Sequence, residues 1–412
     1  MTEPTMFPTT LHELSGALRA LTVLRPVLRK KPLRQLLQLL DLPSSGSDSN
    51  RIIDQCAAYA ASLLPYHSSL ETYLHHCLAH TRTICVRDAL LGNVPDPQVT
   101  QMLRDECGTL SAACGLSPDA VCAHLSYAES TGLRHVPLWS TSHPDLFRWY
   151  SELLRSVPQD GFGVFRGTPM LFVDRGRIVA VQDPDPVSLN ELVGYEWQRK
   201  LIMDNVHALL HGKPASDMLL YGDSGTGKSS TIKAAANALW QEGLRLVEVR
   251  PAQLHEIPRL VRRLVRLPLK FILFIDDLSF ASEDDDFRAL KGTLEGTVQC
   301  RPRNVIVCAT SNRRRLIRET FAERAGDDVH VNETIQQQTA LSDRFGLTIS
   351  FMDPNRDTYL QIVLDAAHSA GLNLTDAELT RGAEKFALEK GGRSGRAARQ
   401  YVDLLKCGVI AP

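Results

Sequence analysis

The spacing of apolar residues divides the chain into stretches of different character. Across residues 10–156 they recur at helical intervals: Leu14, Leu18 and Leu21 share one face, and Leu33, Leu36, Leu37 and Leu40 share another after Pro26 and Pro32. Steps of three and four place side chains on one side of a 3.6-residue helix, so this region is expected to be all-helical. It is broken by a loop at Pro43-Ser44-Ser45-Gly46-Ser47-Asp48-Ser49-Asn50, a run of turn formers. Residues 161–167 and 170–181 alternate and turn at Asp174-Arg175-Gly176, which predicts a β-hairpin closed by Asp183-Pro184-Asp185-Pro186. From residue 187 onward, apolar runs and helical stretches alternate, the mark of a layered α/β sheet. The candidate strands are Asp217–Tyr221, Leu244–Val249, Phe271–Ile275, Val305–Ala309 and Leu347–Phe351. After Asp353-Pro354 only helical spacing remains, with Tyr359, Ile362, Val363 and Ala366 on one face. The expected division is a helical domain over 1–160, a hairpin and linker over 161–186, an α/β domain over 187–352 and a terminal helical segment over 353–412.

Composition narrows the class. The 412 residues are 43% hydrophobic and 23% charged, globular values with ample length for real cores. Forty-six Lys and Arg against 47 Asp and Glu leave a net charge of −1, which excludes a globally basic coat but not a local basic patch. The opening residues MTEPTMFPTTLHELSG lack a basic segment followed by an apolar one, and no stretch approaches 18 uninterrupted apolar residues. The expectation is a soluble, cytoplasmic protein without a membrane span, its nine cysteines reduced. His76 and His80 have the i, i+4 spacing of metal ligands, but no C-x-x-C pair accompanies them and they read as ordinary helix. Arg25, Arg29, Lys30, Lys31 and Arg34 form a basic amphipathic segment, for which a membrane-surface or nucleic-acid contact is one reading and solvated charge over an inward leucine face the better one.

The chemistry concentrates after residue 217. Gly222-Asp223-Ser224-Gly225-Thr226-Gly227-Lys228-Ser229, followed by Ser230, matches G-x-x-x-x-G-K-[ST] between an apolar strand and a helix bearing Ile232, Ala235, Ala236, Leu239 and Trp240. Glycines let the backbone N–H groups converge on phosphate oxygens, and the helix N-terminus adds positive charge. Lys228 is expected to reach the β- and γ-phosphates of ATP, and Ser229 to ligate Mg²⁺. Phe271-Ile-Leu-Phe-Ile275 then delivers Asp276 and Asp277 at the end of a buried strand, Asp276 as a metal ligand and Asp277 to orient attacking water.

With these residues the chain resembles the AAA+ ATPases over 187–412, closest to a bacterial family of predicted ATP-binding proteins of unassigned role. The resemblance implies a three-layer α/β/α parallel-sheet nucleotide domain with a C-terminal helical lid, behind an all-helical N-terminal domain and the β-hairpin. Val305-Ile-Val-Cys-Ala-Thr-Ser311-Asn312 resembles the sensor-1 strand, which implies that Asn312 holds water or the γ-phosphate. Leu341-Ser-Asp-Arg344-Phe345-Gly346 resembles the box whose arginine acts on a neighbouring subunit's ATP, implying a ring or arc of copies with Arg344 in trans. Gly392-Arg-Ser-Gly-Arg396-Ala-Ala-Arg399 resembles sensor 2, with Arg396 the residue that acts. Ser188-Leu-Asn-Glu191-Leu-Val193-Gly194-Tyr195 resembles the segment covering the adenine, and Ser188 and Glu191 also have the spacing of a capping box. The commonest AAA+ pair is Asp-Glu, so Asp277 is one methylene short; Glu283 and Asp284-Asp285-Asp286 are candidate substitutes, though acids there suit a solvated helix start.

The implied function is ATP hydrolysis driving assembly or remodelling of a macromolecular target chosen by the helical domain. The alternative is a slow nucleotide-gated switch or scaffold. A small-molecule kinase would have no need of the sensor and finger arginines. Arg259, Arg262, Arg263, Arg266 and Arg313-Arg314-Arg315 could contact nucleic-acid phosphates, but no aromatic residues interleave with them to stack single-stranded bases.

Overall fold

The computed structural model describes residues 10–43, 49–125, 137–278, 302–312 and 344–411. They form two compact units, Met1–Gly163 and Val164–Pro412. The first contains α1 (Leu11–Ala20), α2 (Lys31–Leu40), α3 (Ser49–Leu63), α4 (Leu70–His80), α5 (Ile84–Leu91), α6 (Pro97–Cys114), α7 (Pro118–His124) and α8 (Leu146–Asp160). Most begin where the sequence offers a cap. Thr10, Ser69, Thr83, Asp96, Ser117 and Asp145 each accept a backbone N–H of the first turn through the side chain, satisfying donors the helix leaves unpaired. One core joins these helices, with Leu18, Leu33, Leu36, Leu74, Val86, Leu110 and Tyr150 sealed from solvent. The basic segment at 25–34 turns its Arg and Lys outward, over buried Val27, Leu33 and Leu36.

The second unit is built on a seven-stranded sheet in the order β2-β1-β4-β5-β6-β3-β7. The strands are β1 (Met170–Asp174), β2 (Arg177–Ala180), β3 (Met218–Gly222), β4 (Leu244–Glu248), β5 (Lys270–Ile275), β6 (Val305–Ser311) and β7 (Leu347–Phe351). Every pairing is parallel except β1 with β2. Period-two alternation along β5 explains the layers. Phe271, Leu273 and Ile275 enter one core with α11 (Ile257–Leu264), while Ile272 and Phe274 enter the other with α9 (Glu196–Leu210) and α10 (Lys228–Leu239). Both faces are covered, so the strand reads as one continuous apolar run. The chain is thus the expected three-layer α/β/α fold. A separate small core holds the terminal lid of α12 (Arg356–Ser369), α13 (Asp376–Glu389) and α14 (Gly395–Lys406).

Two expectations are corrected. Residues 161–167 form no strand: Gly161, Gly163 and Gly167 all have positive φ, and a short 3₁₀ turn occupies Gly163–Phe165. The hairpin at 170–180 is also no freestanding linker, since β1 pairs with β4 and extends the sheet. Arg245 explains part of that join. Completely buried, its guanidinium donates to the carbonyls of Phe165 (2.7 Å), Trp240 (2.6 Å) and Leu244 (2.7 Å), tying β4 to the residues before β1.

Candidate functional site

The C-terminal ends of β3, β5 and β6 open onto one cleft of about 540 Å³, within the ~300–1,000 Å³ of small-molecule sites. Its walls come from the loop before α10, the acidic end of β5, Asn312, residues 191–195 and the first turns of α14. This is where an open parallel sheet presents ligand groups, because helix N-termini and strand carboxyl ends converge there.

The loop's shape follows from its glycines. Gly222 has φ +140°, and a Cβ there would lie 1.8 Å from the carbonyl oxygen of Phe351 on β7. Only glycine lets β3 and β7 approach so closely at the start of the loop. Asp223 continues the brace: its N–H donates to Phe351 O (3.0 Å), and its carboxylate accepts the N–H of Asp353 (3.0 Å). Gly227 (φ +90°) then turns the chain into α10. Lys228 is 6% exposed, and its ammonium donates to the carbonyls of Gly222 (2.9 Å) and Asp223 (2.6 Å) and to Asn312 Oδ1 (3.3 Å). Burial pulls its pKa down, against the opposing pull of Asp223, Asp276 and Asp277. A buried ammonium surrounded by dipoles is a strong attractor for an anion.

Across the cleft, Asp276 Oδ1 accepts from Ser229 Oγ (2.6 Å) and from Thr310 Oγ1 (2.5 Å). Thr310 Oγ1 also accepts the backbone N–H of Asp277 at 3.0 Å, fixing the turn that follows β5. Asp277 sits at φ +54°, a left-handed conformation uncommon outside glycine, and its Oδ1 accepts from Asn312 Nδ2 (3.0 Å). Asn312 therefore bridges Lys228 and Asp277 through its two amide atoms.

The lid touches the loop directly. The backbone N–H of Arg396 donates to Gly225 O at 3.2 Å, and a Cβ on Gly225 would meet Arg396 Cβ at 2.8 Å. Opposite, Val193 and Gly194 line the cleft beneath Tyr195, whose hydroxyl donates to Met352 O (2.5 Å). Arg199 donates to the carbonyls of Leu189 (2.9 Å) and Leu192, holding this segment in place. The capping box expected at Ser188 and Glu191 does not form: the Ser188 hydroxyl bonds the Glu191 carboxylate (2.9 Å), and no side chain caps the short turn.

Of the residues singled out in the sequence, Val193, Gly194, Ser224, Gly225, Thr226, Gly227, Lys228, Ser229, Ser230, Asp276, Asp277, Asn312 and Arg396 line this cleft together. Gly222 and Asp223 brace it from outside. Arg344 lies elsewhere, ahead of Leu347, which pairs with Met218 at the start of β3. The five residues of β7, roughly 16 Å of strand, separate it from the cleft end of the sheet. Glu283, Asp284–Asp286, Arg313–Arg315 and Leu341–Asp343 lie outside the described residues. Sequence reasoning missed Thr310 and Arg199, and it named Arg399 in the sensor-2 segment but gave the role to Arg396 alone. Thr310 carries no signal in its own neighbourhood that separates it from Ser311, the next hydroxyl on the same buried strand, whereas the cleft-lining Arg399 is one helical turn from Arg396. His80 turns its Nδ1 back to His76 O (2.8 Å), and no cluster of three metal-ligating side chains occurs among the described residues.

A family model described as "Protein of unknown function (DUF815)" matches residues 170–408. The chain belongs to this family. The DUF815 match runs from the first sheet strand through the last lid helix and contains every residue of the cleft. No curated protein matches the sequence. Among solved structures, an arginine-for-lysine mutant of Thermotoga maritima RuvB is 18% identical, covering 55% of this chain and 67% of that one with a TM-score of 0.38. The FIGL-1 AAA domain in complex with ADP is also 18% identical, covering 54% and 73%, with a TM-score of 0.37.

Proposed function

We propose that this DUF815 protein binds ATP with Mg²⁺ in the cleft and hydrolyses it as an AAA+-type ATPase, driving assembly or remodelling of a macromolecular target. The observation that carries the reading is the meeting of Lys228, Ser229, Asp276, Asp277 and Asn312 within hydrogen-bond distance at the mouth of three parallel strands. The loop amides and Lys228 cradle the phosphates, and Val193 and Gly194 cover the base. Ser229 and Asp276 fit magnesium, since a hydroxyl and a carboxylate 2.6 Å apart are hard oxygen donors of the kind it takes alongside phosphate. When bound, the ion would neutralise charge on the transferring phosphoryl group. Asp277 orients the attacking water, Asn312 holds Asp277 and the γ-phosphate region, and Arg396 brings positive charge from the lid. Arg344, remote from its own cleft, serves a neighbouring copy as an arginine finger in a ring or arc, an effect of ~10³–10⁵ in rate where fingers operate.

A slow nucleotide-gated switch is the second reading, favoured by Asp277. Its carboxylate is one methylene shorter than glutamate and already engaged by Asn312. Turnover measured with protein concentration and light scattering separates the two. For the motor, Asp277→Asn abolishes hydrolysis while ATP still binds, and Arg344→Ala lowers turnover without loosening ATP. ATP binding with negligible turnover in every variant selects the switch, and a chain monomeric with ATP at all concentrations removes the role in trans.

A further inference from the structure

On the sheet face opposite α10, helix α11 and the turn that follows it carry an arginine stripe that the cleft does not use. Arg259, Arg262, Arg263 and Arg266 follow one another at i, i+3, i+4 and i+7 and are all exposed, while Ile257, Leu260 and Leu264 on the other side are sealed in the core. The fold brings the β1–β2 hairpin against this stripe: Arg263 Nη1 donates to Gly176 O at 3.2 Å, and Arg259 Nη1 lies 3.6 Å from where a Gly176 Cβ would stand. The turn adds exposed Arg175 and Arg177 on either side of Gly176. Six arginines thus share one surface, against two carboxylates on the same elements, exposed Asp174 and half-buried Glu256. None of the six lies within ion-pair distance of a carboxylate among the described residues.

We propose that the face formed by α11 and the β1–β2 hairpin binds the phosphate backbone of duplex nucleic acid without regard to sequence. Three features select this partner. The guanidinium is a planar fork that takes phosphate oxygens in pairs, and the patch is built from arginine alone. A protein partner would want an apolar centre, but Ile257, Leu260 and Leu264 of α11 are buried and Val261 is half-buried, which leaves Val265 (46% exposed) beside the stripe. Single-stranded bases would want aromatic platforms. Among the described residues the exposed aromatic is Trp197 on α9, in the layer on the other side of the sheet. What remains is charge matched to charge, and duplexes carry phosphates most densely.

The test is fluorescence anisotropy of the full chain with a labelled 30-bp random-sequence duplex, as DNA and as RNA, at about 50 to 200 mM salt. Binding should weaken steeply with salt and be indifferent to sequence, with the single strand weaker than the duplex. Arg259→Ala/Arg262→Ala/Arg266→Ala should lower affinity at least tenfold and make the salt slope shallower by about three. Arg175→Glu/Arg177→Glu, on the solvated turn, should do the same independently of the helix, with the thermal midpoint and basal ATP turnover of both variants unchanged. DNA tighter than RNA, or the reverse, identifies which duplex is preferred. No binding at 50 mM salt, binding unaffected by both variants, or tighter binding to polyglutamate than to either duplex would overturn the proposal.

Discussion

Gly222, which braces the cleft from outside, is constrained in two ways. Its φ of +140° already disfavours a side chain, and the Phe351 carbonyl occupies the space a Cβ would need. Backbone strain alone costs roughly 1–3 kcal/mol at such positions, before β7 is pushed aside. Gly222→Ala should therefore lower the thermal midpoint by several degrees, and an unchanged melt would contradict the close approach of β3 and β7. Lys228 is constrained differently. Its ammonium is buried against two carbonyls and an amide oxygen, so its position is set before any ligand arrives. That preorganisation was legible in the G-x-x-x-x-G-K-S spacing, because the spacing itself prescribes a loop whose lysine folds back over it. The role of Thr310 was not legible, because which strand lies beside β5 is a matter of sheet order rather than of neighbouring sequence.

Among elements, the strands were the most readable, since burial on both faces leaves an unbroken apolar run with polar ends. β7 begins and ends at Leu347 and Phe351 as expected, and β3 is displaced by one residue. The stretch 161–167 misled because alternation signals a strand only when the backbone is free to extend, and three glycines at positive φ bend it instead. The buried charge on α6 was also hidden. Glu106 is 8% exposed, and its carboxylate accepts the backbone N–H groups of Thr22 (2.6 Å), Val23 (2.9 Å) and Leu24 (2.7 Å), closing the turn after α1. Glu106→Gln keeps one accepting oxygen but turns a donor toward Leu24 N–H. It should cost ~1–3 kcal/mol, read as a lower urea midpoint of the helical unit. An unchanged midpoint would show that the three N–H groups find other partners.

For the whole molecule, the helical unit gathers thiols that burial makes hard to ionise. Cys56, Cys107 and Cys114 are each pushed up to about 12, by burial first and then by Cys122, Glu106 and Glu71 respectively, and Cys85 up to about 11. The unfolded chain gives up these protons near the ordinary value of 9, while the fold keeps them. Between pH 9 and 11 the native state therefore binds more protons than the unfolded state, so stability falls as pH rises through that window. Urea unfolding at pH 8 and pH 10.5 checks this; equal midpoints would contradict the burial of these groups. The change of apolar period starts the α/β sequence at residue 187, whereas the second compact unit begins at Val164. The place of the hairpin in the sheet was not legible, because a two-stranded alternation says nothing about the third strand it will join.

Calorimetric titration of ATP with Mg²⁺ into the full chain measures whether the cleft grips a triphosphate. Wild type should bind one ATP per chain. Lys228→Ala, which removes a charged partner worth ~1.5–3 kcal/mol, should weaken binding by a factor of about 10–150 while leaving the melting curve of the metal-free protein near that of wild type. Equal ATP affinity in the two proteins, or no binding to wild type, would contradict the assignment of the cleft.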